Sequence, residues 1–220
     1  MRDFFDRLDD LELQLIAMGE LVRSSVDRCV RSLMEQRIDL AEAVISDEIL
    51  VNRYEIEIDD VATELFARNQ PVAIDMRRLI AALKINTDLE RMGDLSVNIA
   101  RRAKYLIEHQ TQDFDVAIPE MSGLVQHMVA SSLHAFVKRD SVLARTVLAA
   151  DDEVDRLRSK IYEQRVKKIE AGSQHVRVDL GYIFIARNLE RIADHSTNIA
   201  EDVIFLVEAL DVRHSKERLP

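Results

Sequence analysis

The sequence predicts an all-α protein built as two tandem pseudo-repeated antiparallel three-helix bundles. Three observations carry this. Residues 89–100 read LERMGDLSVNIA and residues 189–200 read LERIADHSTNIA, with eight of twelve positions identical at an offset of 100. Turn-forming residues are scarce, with 5 Gly and 3 Pro in 220 residues. Apolar residues make up 47% of the chain and recur at helical spacing along most of it, enough for a sizeable core.

The first predicted helix spans 3–43. Its apolar positions Met18, Val22, Val26, Val30, Leu40 and Val44 align at an offset of 103 with Met121, Val125, Val129, Leu133, Leu143 and Val147. The second helix spans 47–68, and its Val51-Asn52-Arg53 aligns with Val154-Asp155-Arg156. Asn69-Gln70-Pro71 then interrupts periodicity, and a third helix covers 74–109. Residues 109–120 lose periodicity, end at Pro119 and read as a junction. Three more helices follow at 120–149, 151–171 and 175–210, the last two separated by Ala171-Gly172-Ser173. The expected units are 1–110, 119–212 and a polar, fraying tail at 213–220.

Each third helix carries an inward stripe that is apolar apart from one serine. The stripe is Ile85, Leu89, Met92, Ser96, Ile99, Ala103 and Leu106 in the first half. In the second it is Ile185, Leu189, Ile192, Ser196, Ile199, Val203 and Leu206. A second stripe begins at Leu79 and Leu83, turns polar at Asn86, Glu90, Gly93 and Asp94, and returns to Val97 and Ala100. Gly93 and Ala193 share a place and leave room beside the acids. A mid-helix glycine costs about 1 kcal/mol relative to alanine, so close packing or a ligand is expected there.

Charge narrows the function. The net charge is −10, from 40 acidic and 30 basic residues. Such a surface repels nucleic-acid phosphates and anionic lipid. The N-terminus has no signal-peptide core, and no uncharged run approaches the roughly 18–20 residues that span a bilayer. Cys29 is the single cysteine and makes no internal disulfide. A soluble, cytoplasmic protein is expected, bound to neither nucleic acid nor membrane lipid.

The carboxylates are the strongest functional signal. Residues four apart stack on one helix face, so Glu90 and Asp94, and again Glu190 and Asp194, can aim at one point. Asp94 and Asp194 have Arg91 and Arg191 three residues earlier, and Glu190 has Arg187, but Glu90 has no base three or four residues away. Folding the hairpin at about residue 71 sets Glu90 opposite Asn52 and Asp94 opposite Glu48. Folding the second at 172–173 sets Glu190 opposite Asp155 and Asp194 opposite Asp151. Three or four oxygen-bearing side chains are thus expected to converge in each bundle. Oxygen-only sets suit hard or borderline cations. Surface salt bridges to the arginines are the alternative account.

These motifs, twice at this spacing, resemble the PhoU family of phosphate-uptake regulators. ISDEILVNRYEIEID and RNQPVAIDMRRL resemble that family's first repeat, and the likeness covers essentially the whole chain. The resemblance implies two three-helix bundles with metal at the ExxxD motifs, as iron, zinc, manganese or magnesium. It implies a non-enzymatic negative regulator of the phosphate regulon that contacts the ATPase subunit of a phosphate ABC transporter and a sensor histidine kinase. A homodimer, peripheral to the inner membrane through its partners, is also expected. The metal assignment falls on Glu90, Asp94, Glu190 and Asp194; Glu48, Asp151 and Asp155 are added from helix register. Asn52 in place of a carboxylate makes the first site less acidic.

Other residues carry weaker signals. Asn98 and Asn198 are expected either to hydrogen-bond a neighbouring helix or to support the metal from behind. His195 points about 100° away from Asp194 and is expected to pack at a core or interface. Arg77 and Arg177 repeat near the start of each third helix, as solvated charge or as contacts to an acidic partner. Cys29 reads as a small apolar filler. No nucleotide loop, GxSxG, HExxH or Cys/His zinc spacing is present. No ExxH pattern of ferritin-like di-iron oxidases is present either, which disfavours a carboxylate-bridged metalloenzyme. A plain helical scaffold is the remaining alternative.

Overall fold

A computed structural model describes residues 2–69, 71–109 and 115–213. These form six helices: α1 Arg2–Met34, α2 Ile38–Asn69, α3 Ala73–Glu108, α4 Ala117–Lys138, α5 Ser141–Glu170 and α6 Val176–Glu208. Residues 110–114 of the expected junction, Gln70 of the first hairpin and 214–220 of the expected tail lie outside the described residues.

Each half is an antiparallel three-helix bundle. The expected inward stripes of α3 and α6 are buried at every position, including both serines. Ser96 and Ser196 satisfy their hydroxyls inside the helix, donating to the carbonyls of Met92 at 2.8 Å and Ile192 at 3.1 Å. On α1, Leu8, Leu11, Leu15, Met18, Val22 and Val26 form one continuous buried stripe at three- and four-residue spacing. Each buried leucine contributes about 1.5–3 kcal/mol by leaving water.

The first helix of each half ends earlier than the periodicity suggests. The single helices expected over 3–43 and 120–149 stop at Met34 and Lys138. The following helices start at Ile38 and Ser141 rather than at 47 and 151. The chain reverses at Gln36 and Arg139, with φ of 55° and 54°. Arg37 N–H donates to Ser32 O at 2.9 Å, and Asp140 N–H to Ala135 O at 2.9 Å. These are six-to-one bonds closing left-handed caps, at matching positions of the two repeats. Neither turn uses glycine or proline, so no punctuation marks it. Asp140 does cap α5, its carboxylate accepting from Leu143 N–H at 2.9 Å. Pro119 lies inside the first turn of α4, where a missing N–H costs nothing, rather than ending the junction.

The halves share one continuous hydrophobic cluster. α1 packs on α4 and α3 on α6, while α2 and α5 lie on opposite flanks. Along α3–α6, Lys84 bonds Asp202 at 2.6 Å and the Arg102 guanidinium lies 5.0 Å from the Phe184 ring centroid. Positions 84 and 184 are repeat equivalents, as are 102 and 202, so the seam is antiparallel and pseudo-twofold. Two glycines allow close approach. A Cβ on Gly19 would lie 2.0 Å from Leu133 Cδ1, and one on Gly181 would lie 2.8 Å from Leu106 Cδ2. Among the described residues no helix is long and apolar enough to cross a membrane.

Candidate functional site

The ExxxD motifs sit at mid-length on α3 and α6, each against the flanking helix of its own half. Gly93 sets the spacing in the first half, since a Cβ there would lie 2.9 Å from Val51 Cγ1. Val51 is β-branched and stiff in a helix, so it gives little. The small residue beside the acids therefore serves α2–α3 packing.

The register differs from expectation by about one helical turn in the first half. Asn86 Nδ2 donates to Glu55 O at 2.9 Å and to Asp59 Oδ1 at 2.8 Å. Glu90 consequently faces Glu55, and Asn52 lies exposed on the outer side. Glu48, expected opposite Asp94, pairs with Arg101 at 3.7 Å. Glu90 also has a base that helix spacing overlooked, because Arg91 Nε reaches back to within 3.3 Å of it and extends to Asp94 at 3.8 Å. In the second half Asp155 stands by Glu190, as the register argument expects, and also acts on Asp194, which that argument had set opposite Asp151. Arg158 enters the same place, 3.5 Å from Glu190 and 3.9 Å from Asp155. Asp151 is half-buried on α5.

Among the described residues, no three His, Cys, Asp or Glu side chains stand close enough together to hold a metal ion. The expected convergence is thus not preassembled: arginine heads lie where the carboxylates would close. The donor chemistry still fits an oxygen-preferring cation. Burial first, and then Asp94 and Glu55, raise Glu90 above the ordinary carboxylate pKa against the opposing pull of Arg91 and His195. Burial likewise raises Glu190, with Arg158 opposing and Asp194 and Asp155 adding. Partial desolvation and Asp155 raise Asp194, although its side chain is open to solvent on one side. These acids are under-neutralised by their arginines. The buried Asn86 Oδ1, one turn before Glu90, accepts no hydrogen bond among the described residues.

The electrostatics give a test. A carboxyl whose folded pKa is raised destabilises the fold once ionised, and the penalty disappears as pH falls through its folded pKa. Glu90→Gln should therefore stabilise chelator-treated protein at neutral pH. The advantage over wild type should shrink as pH drops through the carboxylate range. Urea melts at several pH values read this directly. A variant less stable than wild type at neutral pH would contradict the account.

The remaining expected residues are dispersed. His195 bridges the halves, its Nδ1 2.7 Å from Asp88 Oδ1, and Asn198 donates to the same carboxylate at 3.3 Å. Both therefore hold the α3–α6 seam, the packing role expected of them. Asn98 is half-buried on α3. Arg77 is half-buried near the start of α3, and Arg177 is exposed near the start of α6. Cys29 is fully buried against Ser96 O at 3.0 Å, and burial pushes its thiol pKa up. Glu55, Asp88, Arg101 and Arg158 were missed as participants. Glu55 and Arg158 align at the repeat offset of 103, so a charge reversal at matching positions was the available signal for those two.

Comparison with known proteins bears on the fold and the repeat. The PhoU domain model covers residues 15–103 and 118–203. The phosphate-specific transport system accessory protein PhoU homolog of Pseudomonas aeruginosa is 36% identical over 214 residues, covering 97% of this chain and 88% of that protein. The homolog from Aquifex aeolicus is 35% identical over 210 residues, covering 96% of this chain and 95% of that protein. The crystal structure of PhoU from Pseudomonas aeruginosa superposes with a TM-score of 0.91 at 36% identity, over 94% of this chain and 100% of that one. The phosphate transport system regulatory protein PhoU from Streptococcus pneumoniae gives a TM-score of 0.88 at 25% identity, over 95% of this chain and 99% of that one. With both domain matches falling on the two helical repeats and the likeness running through nearly the full length, the chain belongs to the PhoU family.

Proposed function

We propose that this protein is a non-enzymatic negative regulator of phosphate uptake and of the phosphate regulon. It acts by contact with the ATPase subunit of a phosphate ABC transporter and with a membrane-bound sensor histidine kinase. The observation that carries this reading is the near full-length likeness to proteins named as phosphate-specific transport accessory proteins. A rigid six-helix body with one continuous core suits an adaptor that biases a partner between two states.

In this reading the ExxxD motifs hold a cation. Glu90 and Asp94, with Glu48, would hold it in the first repeat; Glu190 and Asp194, with Asp151 and Asp155, would hold it in the second. Iron, zinc, manganese and magnesium all accept such oxygen donors. Bound there, it would supply positive charge to acids that the arginines leave under-neutralised.

Deletion of the gene should raise phosphate-regulon reporter expression in phosphate-replete cells, and a plasmid copy should restore repression. No derepression would sink the regulator reading. For the metal, Glu90→Ala/Asp94→Ala and its second-repeat counterpart should each lower the metal content of purified protein. Unchanged content in both would remove the cation from the proposal.

A further inference from the structure

The two repeats place opposite charges at matching positions between their second and third helices. Between α5 and α6 lies a cavity of about 400 Å³ lined by Arg158, Tyr162, Ile183, Ala186, Arg187 and Glu190. The repeat offsets place Glu55, Asp59, Leu83, Asn86, Thr87 and Glu90 at the matching positions between α2 and α3. The contacts bear out the correspondence, since Asn86 meets Asp59 and Glu55 on α2, and Arg158 meets Glu190 on α6. The matching positions thus carry three carboxylates and no base in the first repeat, where Arg91 approaches from outside this set, and two guanidiniums and one carboxylate in the second.

The basic groove has unused donors. Arg158 approaches Glu190 and Asp155 at 3.5 and 3.9 Å, too far for well-formed hydrogen bonds. The atom facing Glu190 is its Nε, which is buried and ion-paired there but makes no hydrogen bond. Arg187 is exposed, and its charge acts on Glu190 without a hydrogen bond to it. Leaving a buried guanidinium N–H unmade is costly, and a planar fork matches carboxylate and phosphate oxygens in pairs. The rest of the lining is apolar: Ile183, Ala186 and the ring of Tyr162, which is 49% exposed. The volume falls within the range of small-molecule sites, which combine an apolar wall with a few convergent polar groups.

We propose that the α5–α6 groove binds a small organic oxyanion, with a phosphate-ester or carboxylate head between Arg158 and Arg187 and a flat apolar body against Tyr162, Ile183 and Ala186. Within the lining two guanidiniums outweigh the one acid, Glu190, while the exposed Asp155 stands outside it, 3.9 Å from Arg158. The acidic groove of the first repeat has no such affinity. The proposal stands independently of the regulatory reading, and it shares Glu190 with the second-repeat cation site.

Titration calorimetry of the full chain with phenyl phosphate, benzoate and inorganic phosphate tests it. Phenyl phosphate or benzoate should bind saturably, with one molecule per chain. The tighter of the two identifies the head group as phosphate ester or carboxylate. Arg187→Gln lies at an exposed position and should fold normally, yet weaken that ligand by about tenfold or more through loss of paired charge-assisted bonds. Tyr162→Ser should weaken it while leaving inorganic phosphate unaffected. Absence of saturable binding by both aromatic probes would overturn the proposal, as would unchanged affinity in both variants. Inorganic phosphate binding as tightly as phenyl phosphate would remove the apolar slot and overturn it too.

Discussion

Arg165→Met should destabilise the protein by about 3–5 kcal/mol, the largest loss expected from a single polar position. Arg165 is a 2% exposed guanidinium on α5 that gathers three other segments. Its Nε donates to Asp115 at 3.0 Å, just before α4, and its Nη1 to Asp179 at 3.3 Å on α6. The Tyr182 ring centroid lies 4.0 Å away, and Ser173 in the α5–α6 turn donates to Asp179 at 2.7 Å. Asp115 in turn accepts from Ala117 N–H at 3.1 Å. Removing the cation strands two buried carboxylates, which costs far more than the pairs contribute when intact. Replacing all three charges together, as Arg165→Met/Asp115→Asn/Asp179→Asn, should recover much of the loss. Urea melts of the two variants decide this. A single-variant loss below about 1 kcal/mol would show the network to be dispensable.

Gly181→Leu should cost about 1–3 kcal/mol, because it forces a side chain into a close contact of α6 with Leu106 on α3. The helix-propensity gain of about 1 kcal/mol over glycine acts in the opposite direction and is outweighed. Leu106, fully buried, is the residue that must yield. Adding Leu106→Ala opens the space, so the double variant should lose less than the two single losses combined. Strict additivity in denaturation midpoints would mean that the two positions do not meet.

Much of this architecture was legible because it follows local rules. The repeat at 89–100 and 189–200, and the stripes from Ile85 to Leu106 and Ile185 to Leu206, depend on residue spacing alone, and every stripe residue is buried. The turns at Gln36 and Arg139 were not legible. Non-glycine residues in a left-handed cap carry no compositional mark, and the apolar pattern runs straight across them. The candidate site was legible in kind but not in register. A fold point misplaced by little more than a residue moves the facing residue by two or three, enough to exchange Asn52 for Glu55 opposite Glu90. The reach of Arg91 and Arg158 could not be read from spacing, because long flexible side chains contact residues that helix periodicity does not pair.

The pseudo-twofold seam bears on how such a chain could specialise. A polypeptide holding one repeat would bury that seam against another copy of itself, and each change in one groove would appear in both. Fusion into a single gene breaks that obligation. Glu55 and Arg158, or Thr87 and Arg187, can then drift to opposite chemistries while Gly19, Gly181 and the seam they serve keep the halves together. The joined chain keeps the buried seam of a symmetric pair while each half is free to change its charges separately.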